Sequence, residues 1–338
     1  MDDTHVSLAH GNGGRFMREL IEELFARHLA NPVLDIQADA SCLPPAEGDW
    51  LITTDGFTVQ PLEFPGGDIG SLAVHGTVND LAVTGATPLY LTLNAFIEEG
   101  LELALLDRLI ASLARAANEA GVKIAAGDTK VVRRGEGGGL YLATTGVGIR
   151  APGTALGMDR IREGDVVLVS GPIGDHGIAV MLAREQFGLR GDLRSDAASV
   201  LPLTRALLSS PAAGADLRFM RDPTRGGLAA VCHEIARATG LAIRLREPDI
   251  PVRDPVASVC EMLGYDPMYL ACEGRVVAVI AAEAADSALE CWRALPEGAG
   301  AAVVGRVVTD RHAVVLETGL GGERLLEELE DDPLPRIC

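Results

Sequence analysis

The stretch VVLVSGPIGDHG, residues 166–177, decides how the chain divides and which class of fold it adopts. Its first five residues are a short apolar run typical of a buried strand, and a glycine-rich turn follows them. Just upstream, residues 150–164 are interrupted by Pro152, several glycines and short polar stretches. We therefore place a domain boundary at this point and predict that the second domain begins with a strand at 166–170.

Strand-like and helix-like stretches alternate on both sides of this boundary. Apolar residues at helical spacing predict helices at 14–30 and around 101–113, the second ended by Gly121. Further strands are expected at 50–54, 89–97, 122–126, 140–149, 275–281 and 301–316, and further helices near 176–188, 227–239 and 283–294. This alternation predicts an α/β or α+β architecture with two domains, residues 1–152 and 153–332, followed by a flexible tail at 333–338.

Composition excludes several classes of function. The net charge of −19 repels DNA, RNA and anionic lipid, so we expect neither a nucleic-acid partner nor a membrane-surface role. No apolar run approaches the roughly 20 residues of a membrane span, and the N-terminus lacks the features of a signal peptide. The six cysteines are scattered and form no C-x-x-C pair, which favours a reducing cytoplasm over a disulfide framework.

Four acidic residues occur in a common setting, at the ends of predicted strands or in short loops after them: Asp55, Asp80, Asp128 and Asp222. Magnesium takes oxygen ligands, usually a few carboxylates together with water and substrate phosphates. If the four converge, they would build a magnesium–triphosphate site in which Lys130 and Arg225 neutralise the remaining charge. Taken singly, each aspartate is better explained by turn or cap chemistry, so the hypothesis depends on the set.

Glycine-rich turns supply further candidates. His10 is followed by Gly11, Asn12, Gly13 and Gly14 just before a predicted helix, and the free N–H groups of a helix N-terminus suit a phosphate. This loop is not a Walker A motif, and a helix cap formed by Asn12 explains it equally well. In the second domain, His176 is the histidine best placed for a cleft. Glu273, just before a strand, is either an acid or base or part of a turn.

The last cysteine has its own chemistry. Prolines at 333 and 335 favour an extended segment before Cys338, although an acidic, frayed tail is the simpler interpretation. A catalytic thiolate needs nearby cations or a helix N-terminus, whereas the acidic run raises the thiol pKa. We therefore interpret Cys338 as a carrier of a reacting group and not as a resident nucleophile.

Seven motifs now occur in order: HGNGG (10–14), FPGGDIG (64–70), GTVND (76–80), GDTKV (127–131), GDHG (174–177), DPTRGG (222–227) and PRIC (335–338). Together they resemble the carbamoyl-cysteine dehydratase family of nickel–iron hydrogenase maturation. The resemblance covers essentially the whole chain, and the PRIC ending is its most discriminating part. It implies the two-domain fold of aminoimidazole ribonucleotide synthetase, selenophosphate synthetase and thiamine-monophosphate kinase, with a homodimer formed through the N-terminal sheets.

The resemblance also implies a site and a reaction. The cofactors would be ATP and Mg²⁺, with Asp55, Asp80, Asp128 and Asp222 as metal ligands. The phosphate-side contacts would be Gly11, Asn12, Gly13, Gly14, Asn79, Lys130, Thr224 and Arg225. A partner carbamoyltransferase, HypF, would load Cys338, ATP would drive dehydration to an S-cyanyl group, and an iron scaffold of HypC and HypD would receive the cyanide. A base for the nitrogen proton is sought among Glu273, His176 and Lys130.

Two alternatives remain open at this point. The chain could be another enzyme of the same superfamily, a small-molecule kinase or a selenophosphate synthetase. Neither requires the PRIC tail, and the synthetase should carry a reactive cysteine near its N-terminal glycine loop, whereas the first cysteine here is Cys42. The chain could also be a non-catalytic carrier that presents Cys338, but the presence of all four acidic motifs argues against it.

Overall fold

The structure, a computed structural model, describes residues 3–11, 15–34, 36, 43–184, 192–309 and 313–329. The described residues divide into two compact units. The first lies within Met1–Leu81 and Ala86–Pro152, and the second within Ala82–Gly85 and Gly153–Pro335. None of the helices in these ranges combines the length and apolar character needed to span a bilayer.

The first unit is built on a four-stranded sheet. Its strands are β1 (Asp49–Phe57), β4 (Ala86–Glu98), β5 (Lys123–Val132) and β6 (Leu140–Arg150), in the order β1-β6-β4-β5, and a short hairpin joins β2 (Glu63–Phe64) to β3 (Gly67–Asp68). Its helices are α1 (Arg15–Leu20), a π-helical turn (Ile21–Ala26), α2 (Arg27–Leu29), α3 (Ile69–Val83) and α4 (Leu103–Ala120). Pairing is antiparallel except between β4 and β5.

The two faces of this sheet differ in burial. Along β6 and β4, alternate residues such as Thr144, Leu93 and Ala95 are buried, whereas their neighbours Thr145 and Asn94 are half-exposed. Side chains alternate between faces along a strand, so one face is covered and the other is open. The covered face is packed against α3 and α4, whose apolar side chains are largely buried.

The second unit contains a seven-stranded sheet in the order β13-β12-β9-β11-β7-β10-β8. Its strands are β7 (Val166–Val169), β8 (Leu217–Arg221), β9 (Ala242–Arg246), β10 (Val277–Ile280), β11 (Ala302–Val308), β12 (Val314–Glu317) and β13 (Glu323–Leu326). Its helices are α5 (Asp175–Ala183), α6 (Leu201–Ser209), α7 (Gly227–Thr239), α8 (Asp254–Leu263) and α9 (Ala285–Arg293). All four residues of β10 are buried, so both faces of the sheet are covered at this strand.

A single apolar cluster forms the core between α7 and this sheet. Leu228, Cys232 and Ile235 of α7 pack with Val167 of β7 and Val277 of β10. Apolar residues at 228, 231, 232 and 235 repeat at helical spacing, which is why one face of α7 is buried. The second-domain helix predicted at 227–239 is therefore confirmed, with the same bounds.

The predicted mixed α/β fold is confirmed, although one central helix was not predicted. Helix α3 is buried on nearly every side, including Leu72, Val78 and Asn79, so its sequence has no polar face to reveal helical periodicity. Helices α6 and α8 and strands β8 and β9 were also not predicted. Gly121 ends α4 in a left-handed conformation with φ of 74°, as expected of a C-terminal glycine cap.

Candidate active site

Asp55 and Asp80 lie together on the covered face of the first sheet, but neither follows a strand end as predicted. Asp55 lies inside β1, because the strand continues to Phe57, and Asp80 lies inside α3. Thr53 Oγ1 donates a hydrogen bond to Asp80 Oδ2 over 2.8 Å. A Cβ added at Gly76 of α3 would be 3.7 Å from Asp55 Oδ2, so α3 passes directly over this part of β1.

Asp128 and Lys130 also lie inside a strand, β5, and not in a loop after it. Their side chains form an ion pair, with Lys130 Nζ 2.8 Å from Asp128 Oδ2. The Lys130 hydrogen bond lowers the pKa of Asp128, and the backbone N–H of Thr129 acts in the same direction. Both side chains are exposed, whereas Thr129 between them is buried. Asp128 and Lys130 therefore lie on the open face.

The strand register separates these two pairs of residues. Asp55 of β1 is opposite Thr144 of β6, which is opposite Leu93 of β4. Thr144 and Leu93 are buried and Asp55 is half-buried, so all three lie on the covered face. Asp128 is opposite Asn94 in the adjacent row, whose side chains point to the other face. Throughout the described ranges, no three His, Cys, Asp or Glu side chains are grouped closely enough to hold a metal ion. The four-aspartate metal set thus remains a prediction.

The N-terminal glycine loop begins beside Lys130. Gly11 ends a 3-10 turn (Leu8–Gly11) and packs so closely on β5 that an added Cβ would be 2.8 Å from the Cβ of Val131. His10 is fully buried, and its Nδ1 accepts a hydrogen bond from the backbone N–H of Ser7 over 3.1 Å. Asn12, Gly13 and Gly14 lie outside the described residues. The structure therefore brings the start of this loop to the Lys130 end of β5.

In the second unit, Asp222 is buried and directly follows β8, so it has the predicted setting after a strand, although the strand itself was not predicted. The next residues turn into α7: the backbone N–H of Gly227 donates to the carbonyl of Thr224 over 3.0 Å. Gly227 has φ of 59°, and an added Cβ would be 2.6 Å from the carbonyl oxygen of Leu270, so only glycine fits. Arg225 is exposed at the N-terminus of α7, a position that favours an anion.

His176 and Glu273 are both buried in the second unit. His176 lies in the first turn of α5, and its Nδ1 is 2.8 Å from the hydroxyl oxygen of Ser195. The segments that carry His176 and Glu273 are in contact, because the backbone N–H of Gly177 donates to the carbonyl of Ala271 over 3.2 Å. Two of the three predicted candidates for the base are thereby brought into one region, while Lys130 belongs to the other unit.

A buried ionic network surrounds Glu273, and sequence reasoning missed it. Arg275 Nε is 3.3 Å from Asp196 Oδ2, and Arg275 Nη2 is 3.5 Å from Asp175 Oδ2. Burial, followed by the charge of Asp196, raises the pKa of Asp175 to about 6, against the opposing effect of Arg253 and Arg275. Burial likewise raises the pKa of Asp196. Asp175 belongs to the GDHG motif, but nothing in the spacing of Asp196 or Arg275 pointed to this cluster.

The internal cysteines behave as small apolar residues. Cys232, Cys260 and Cys272 are buried, and Cys291 is half-buried. Burial raises the thiol pKa of Cys232 to about 12 and that of Cys260 to about 11, so neither supplies a thiolate near neutral pH. Cys42 and Cys338 lie outside the described residues.

Comparisons with known proteins match this fold and show the family. The chain matches the family models "AIR synthase related protein, N-terminal domain" over residues 37–150 and "AIR synthase related protein, C-terminal domain" over residues 162–317. It is 48% identical to the carbamoyl dehydratase HypE of Azotobacter vinelandii, over 98% of this chain and 97% of that protein. It is 43% identical to the carbamoyl dehydratase HypE of Escherichia coli, over 99% of each chain.

Solved structures agree. A hydrogenase maturation protein HypE in complex with ATP superposes with a TM-score of 0.92 at 43% identity, over 98% of this chain and 99% of that one. HypE from a HypE–HypF complex gives 0.80 at 42% identity, over 92% and 99%. A thiamine-monophosphate kinase from Stenotrophomonas maltophilia, at 22% identity, shares the fold alone, with a TM-score of 0.67 over 93% and 98%. The chain belongs to the carbamoyl dehydratase HypE family of AIR synthase-related proteins.

Proposed function

We propose that this chain is an ATP-dependent carbamoyl dehydratase that converts an S-carbamoyl group on its own Cys338 into an S-cyanyl group. The cyano group is destined for the iron of a nickel–iron hydrogenase. The observation that carries this proposal is the 48% identity to a carbamoyl dehydratase over 98% of the chain. The relative solved with ATP supports ATP as the second substrate. Membership of this family favours the dehydratase over the kinase, the selenophosphate synthetase and the non-catalytic carrier.

The reaction removes the carbonyl oxygen as phosphate. The carboxamide oxygen attacks the γ-phosphorus of ATP, and ADP leaves. The two nitrogen protons are lost in turn, the carbon–oxygen bond breaks, and phosphate departs with the original oxygen. The sulfur then carries a carbon–nitrogen triple bond, and one carbamoyl group and one ATP have given one cyano group, ADP and phosphate. No electrons are gained or lost, so the protein needs to supply only phosphate positioning and a base.

Among the three candidate bases, Glu273 is the best supported. Its backbone is held on both sides: its N–H donates to Asp196 Oδ1 over 3.1 Å, and its carbonyl accepts from Ala198 over 3.4 Å. A side chain on a backbone held in this way is presented from a defined position, as a general base requires. Lys130 is engaged by Asp128, and Nδ1 of His176 is occupied by Ser195.

Magnesium fits the donor chemistry of the predicted ligands. Asp55, Asp80, Asp128 and Asp222 offer only carboxylate oxygens, which Mg²⁺ prefers. Asp55 and Asp80 lie close together between β1 and α3, whereas Asp128 lies on the opposite face of the sheet. When bound, Mg²⁺ would neutralise charge on the transferring phosphoryl group. On the protein side, Asn79, Lys130, the Gly11–Gly14 loop, Thr224 and Arg225 would contact the phosphates.

The open face of the first sheet supports the predicted homodimer. Trp50, Ile52 and Phe96 project from it as exposed large apolar side chains, and Ile52 is 73% exposed. Apolar patches of this kind on a folded protein mark interaction surfaces. A second copy of the chain supplies a self-complementary surface of the same chemistry. Asp128 and Lys130 lie on this face too, so the dimer would bring them to its interface.

The reaction needs one partner protein that supplies the carbamoyl group and another that receives the cyano group. A HypE relative solved with HypF supports a carbamoyltransferase that loads Cys338. An iron-bearing HypC–HypD scaffold would receive the cyano group. We place the reaction in the cytoplasm, where the buried thiols of Cys232, Cys260 and Cys272 would stay reduced.

The test is loading followed by mass spectrometry. The protein is incubated with carbamoyl phosphate, ATP and a HypF-type transferase, and the C-terminal peptide is weighed over time. We expect a carbamoyl adduct on Cys338 that becomes lighter by the mass of one water as ADP and phosphate form. A stable adduct that never loses water would refute the dehydratase. Undiminished ATP turnover by Cys338→Ser on a free small molecule would instead indicate a kinase.

A further inference from the structure

The segment from Leu270 to Val276 is the point where the motif loops of the second unit meet. It belongs to no helix or strand, yet most of its residues, including Cys272 and Glu273, are buried. Backbone N–H and C=O groups buried outside regular structure need hydrogen-bond partners. The partners of this segment come from several different loops, and those loops include the GDHG and DPTRGG motifs.

Two backbone hydrogen bonds make these connections. The carbonyl of Ala271 accepts from the N–H of Gly177 in the GDHG helix over 3.2 Å, and the N–H of Cys272 donates to the carbonyl of Pro223 in DPTRGG over 3.0 Å. Pro223 is the neighbour of Asp222. The position of this segment therefore sets both the proposed base, Glu273, and the backbone next to one of the proposed metal ligands.

Asp196 and Arg275 hold this segment from beneath. The buried carboxylate of Asp196 accepts from the backbone N–H of Glu273 over 3.1 Å and lies 3.3 Å from Arg275 Nε. Arg275 also donates to the carbonyl of Pro172 over 2.9 Å and lies 3.5 Å from Asp175 Oδ2. The fit is tight: a Cβ at Gly274 would be 1.9 Å from the backbone oxygen of Asp196.

We propose that Asp196 and Arg275 are positioning residues for the dehydration, which hold Glu273 and the Asp222 loop in register without touching the substrate. The inference rests on the proposed function and extends it to two residues that carry no motif. The buried carboxylate of Asp196 accepts a hydrogen bond from the backbone of Glu273, the proposed base, and pairs with Arg275 of the same segment. These contacts fix the position of Glu273. Small displacements of a catalytic group cost large factors in rate, whereas substrate binding spread over other loops is affected less.

The test compares Asp196→Asn and Asp196→Ala with a matched control, Asp165→Asn. Asp165 is equally a buried carboxylate of the second unit: it accepts from the N–H of Arg162 over 2.8 Å and lies 3.6 Å from Arg218 Nε. It contacts none of the motif loops in these interactions. Single-turnover dehydration of the carbamoylated protein, the KM for ATP and thermal unfolding are measured for each variant.

We expect Asp196→Ala to slow dehydration roughly 100-fold with a KM for ATP within about threefold of the wild-type value, and Asp196→Asn to retain part of the rate through its amide oxygen. Asp165→Asn should lose stability and keep the rate. If Asp196→Ala does not fold, the dehydration rates of Asp196→Asn and Asp165→Asn are compared to test the positioning role. Equal rates for those two variants would overturn the positioning role. Failure of wild-type protein to lose water from its adduct would instead refute the proposed function itself.

Discussion

At the scale of single residues, the environment of each aspartate separates residues that look alike in sequence. Asp80 accepts a hydrogen bond from Thr53 on the covered face of the first sheet, whereas Asp128 pairs with Lys130 on the open face. Asp222 is buried after β8. All three sit in glycine- or threonine-containing motifs, and only the register of the strands shows which face each one occupies.

Asp80→Asn should reduce ATP-dependent dehydration roughly 100-fold, because the amide removes a negative charge from the proposed magnesium site while it keeps the size of the side chain. The rate is measured as loss of water from the C-terminal peptide. Asp49→Asn is the control, since Asp49 is exposed on β1 and its carboxylate pairs with Arg150 at 3.1 Å. Equal rates for the two variants would remove Asp80 from the site.

Glu273→Gln should lower the rate of dehydration by roughly 100-fold to 10,000-fold, the range for loss of a general base, with carbamoylation of Cys338 unaffected. Glu283→Gln, an exposed glutamate of the second unit, serves as control. A Glu273→Gln enzyme with a normal rate of dehydration would assign the base to His176 or Lys130 instead.

At the scale of elements, Asp175 links the first turn of α5 to the buried ionic network through ion pairs with Arg253 and Arg275. It is fully buried between Arg253 and Arg275, and its pKa of about 6 lies above the ordinary value of 3.8. The folded state thus binds the proton more tightly than the unfolded state does. This stabilisation is complete below the unfolded pKa and is lost as pH rises through about 6.

The unfolding free energy of Asp175→Asn relative to wild type should therefore increase by roughly 1 kcal/mol from about pH 5 to about pH 7, because only the wild type loses the stabilising proton. Urea unfolding at the two pH values measures the difference. Asp216→Asn, at a half-exposed aspartate of the same unit, is the control. A relative stability of Asp175→Asn that stays flat or falls with pH would contradict the raised pKa.

Elements with one buried face were predictable, and elements buried on all sides were not. Apolar residues of α7 repeat at helical spacing, so its bounds could be predicted at 227–239. Helix α3 is enclosed, and Asn79 and Asp80 were therefore assigned to a loop. A different cause misplaced Asp55 and Asp128: polar residues inside β1 and β5 resemble the residues that end a strand.

At the scale of the whole molecule, the open face of the first sheet is where a second copy is expected. Ile52→Asp should convert the dimer into a monomer and reduce dehydration, because a charge at the centre of an apolar interface is costly to bury. Sedimentation velocity measures the mass. Leu325→Asp is the matched control: Leu325 is 64% exposed on β13, in the other unit, and its replacement should leave the dimer intact. An Ile52→Asp protein that remains dimeric would refute this interface.

The sequence by itself determined the family and the reaction class, because short motifs of chemically constrained residues occur in order along the chain, and it predicts Cys338 as the carrier. It also determined most amphipathic helices and the two-domain division that we predict. Only the tertiary structure decided which residues share a face, that Asp55 and Asp128 are separated by a sheet, and that Asp196 supports Glu273 across 77 positions of sequence. Motif chemistry is local and can be read along the chain, whereas strand register and buried ion pairs depend on contacts between distant residues.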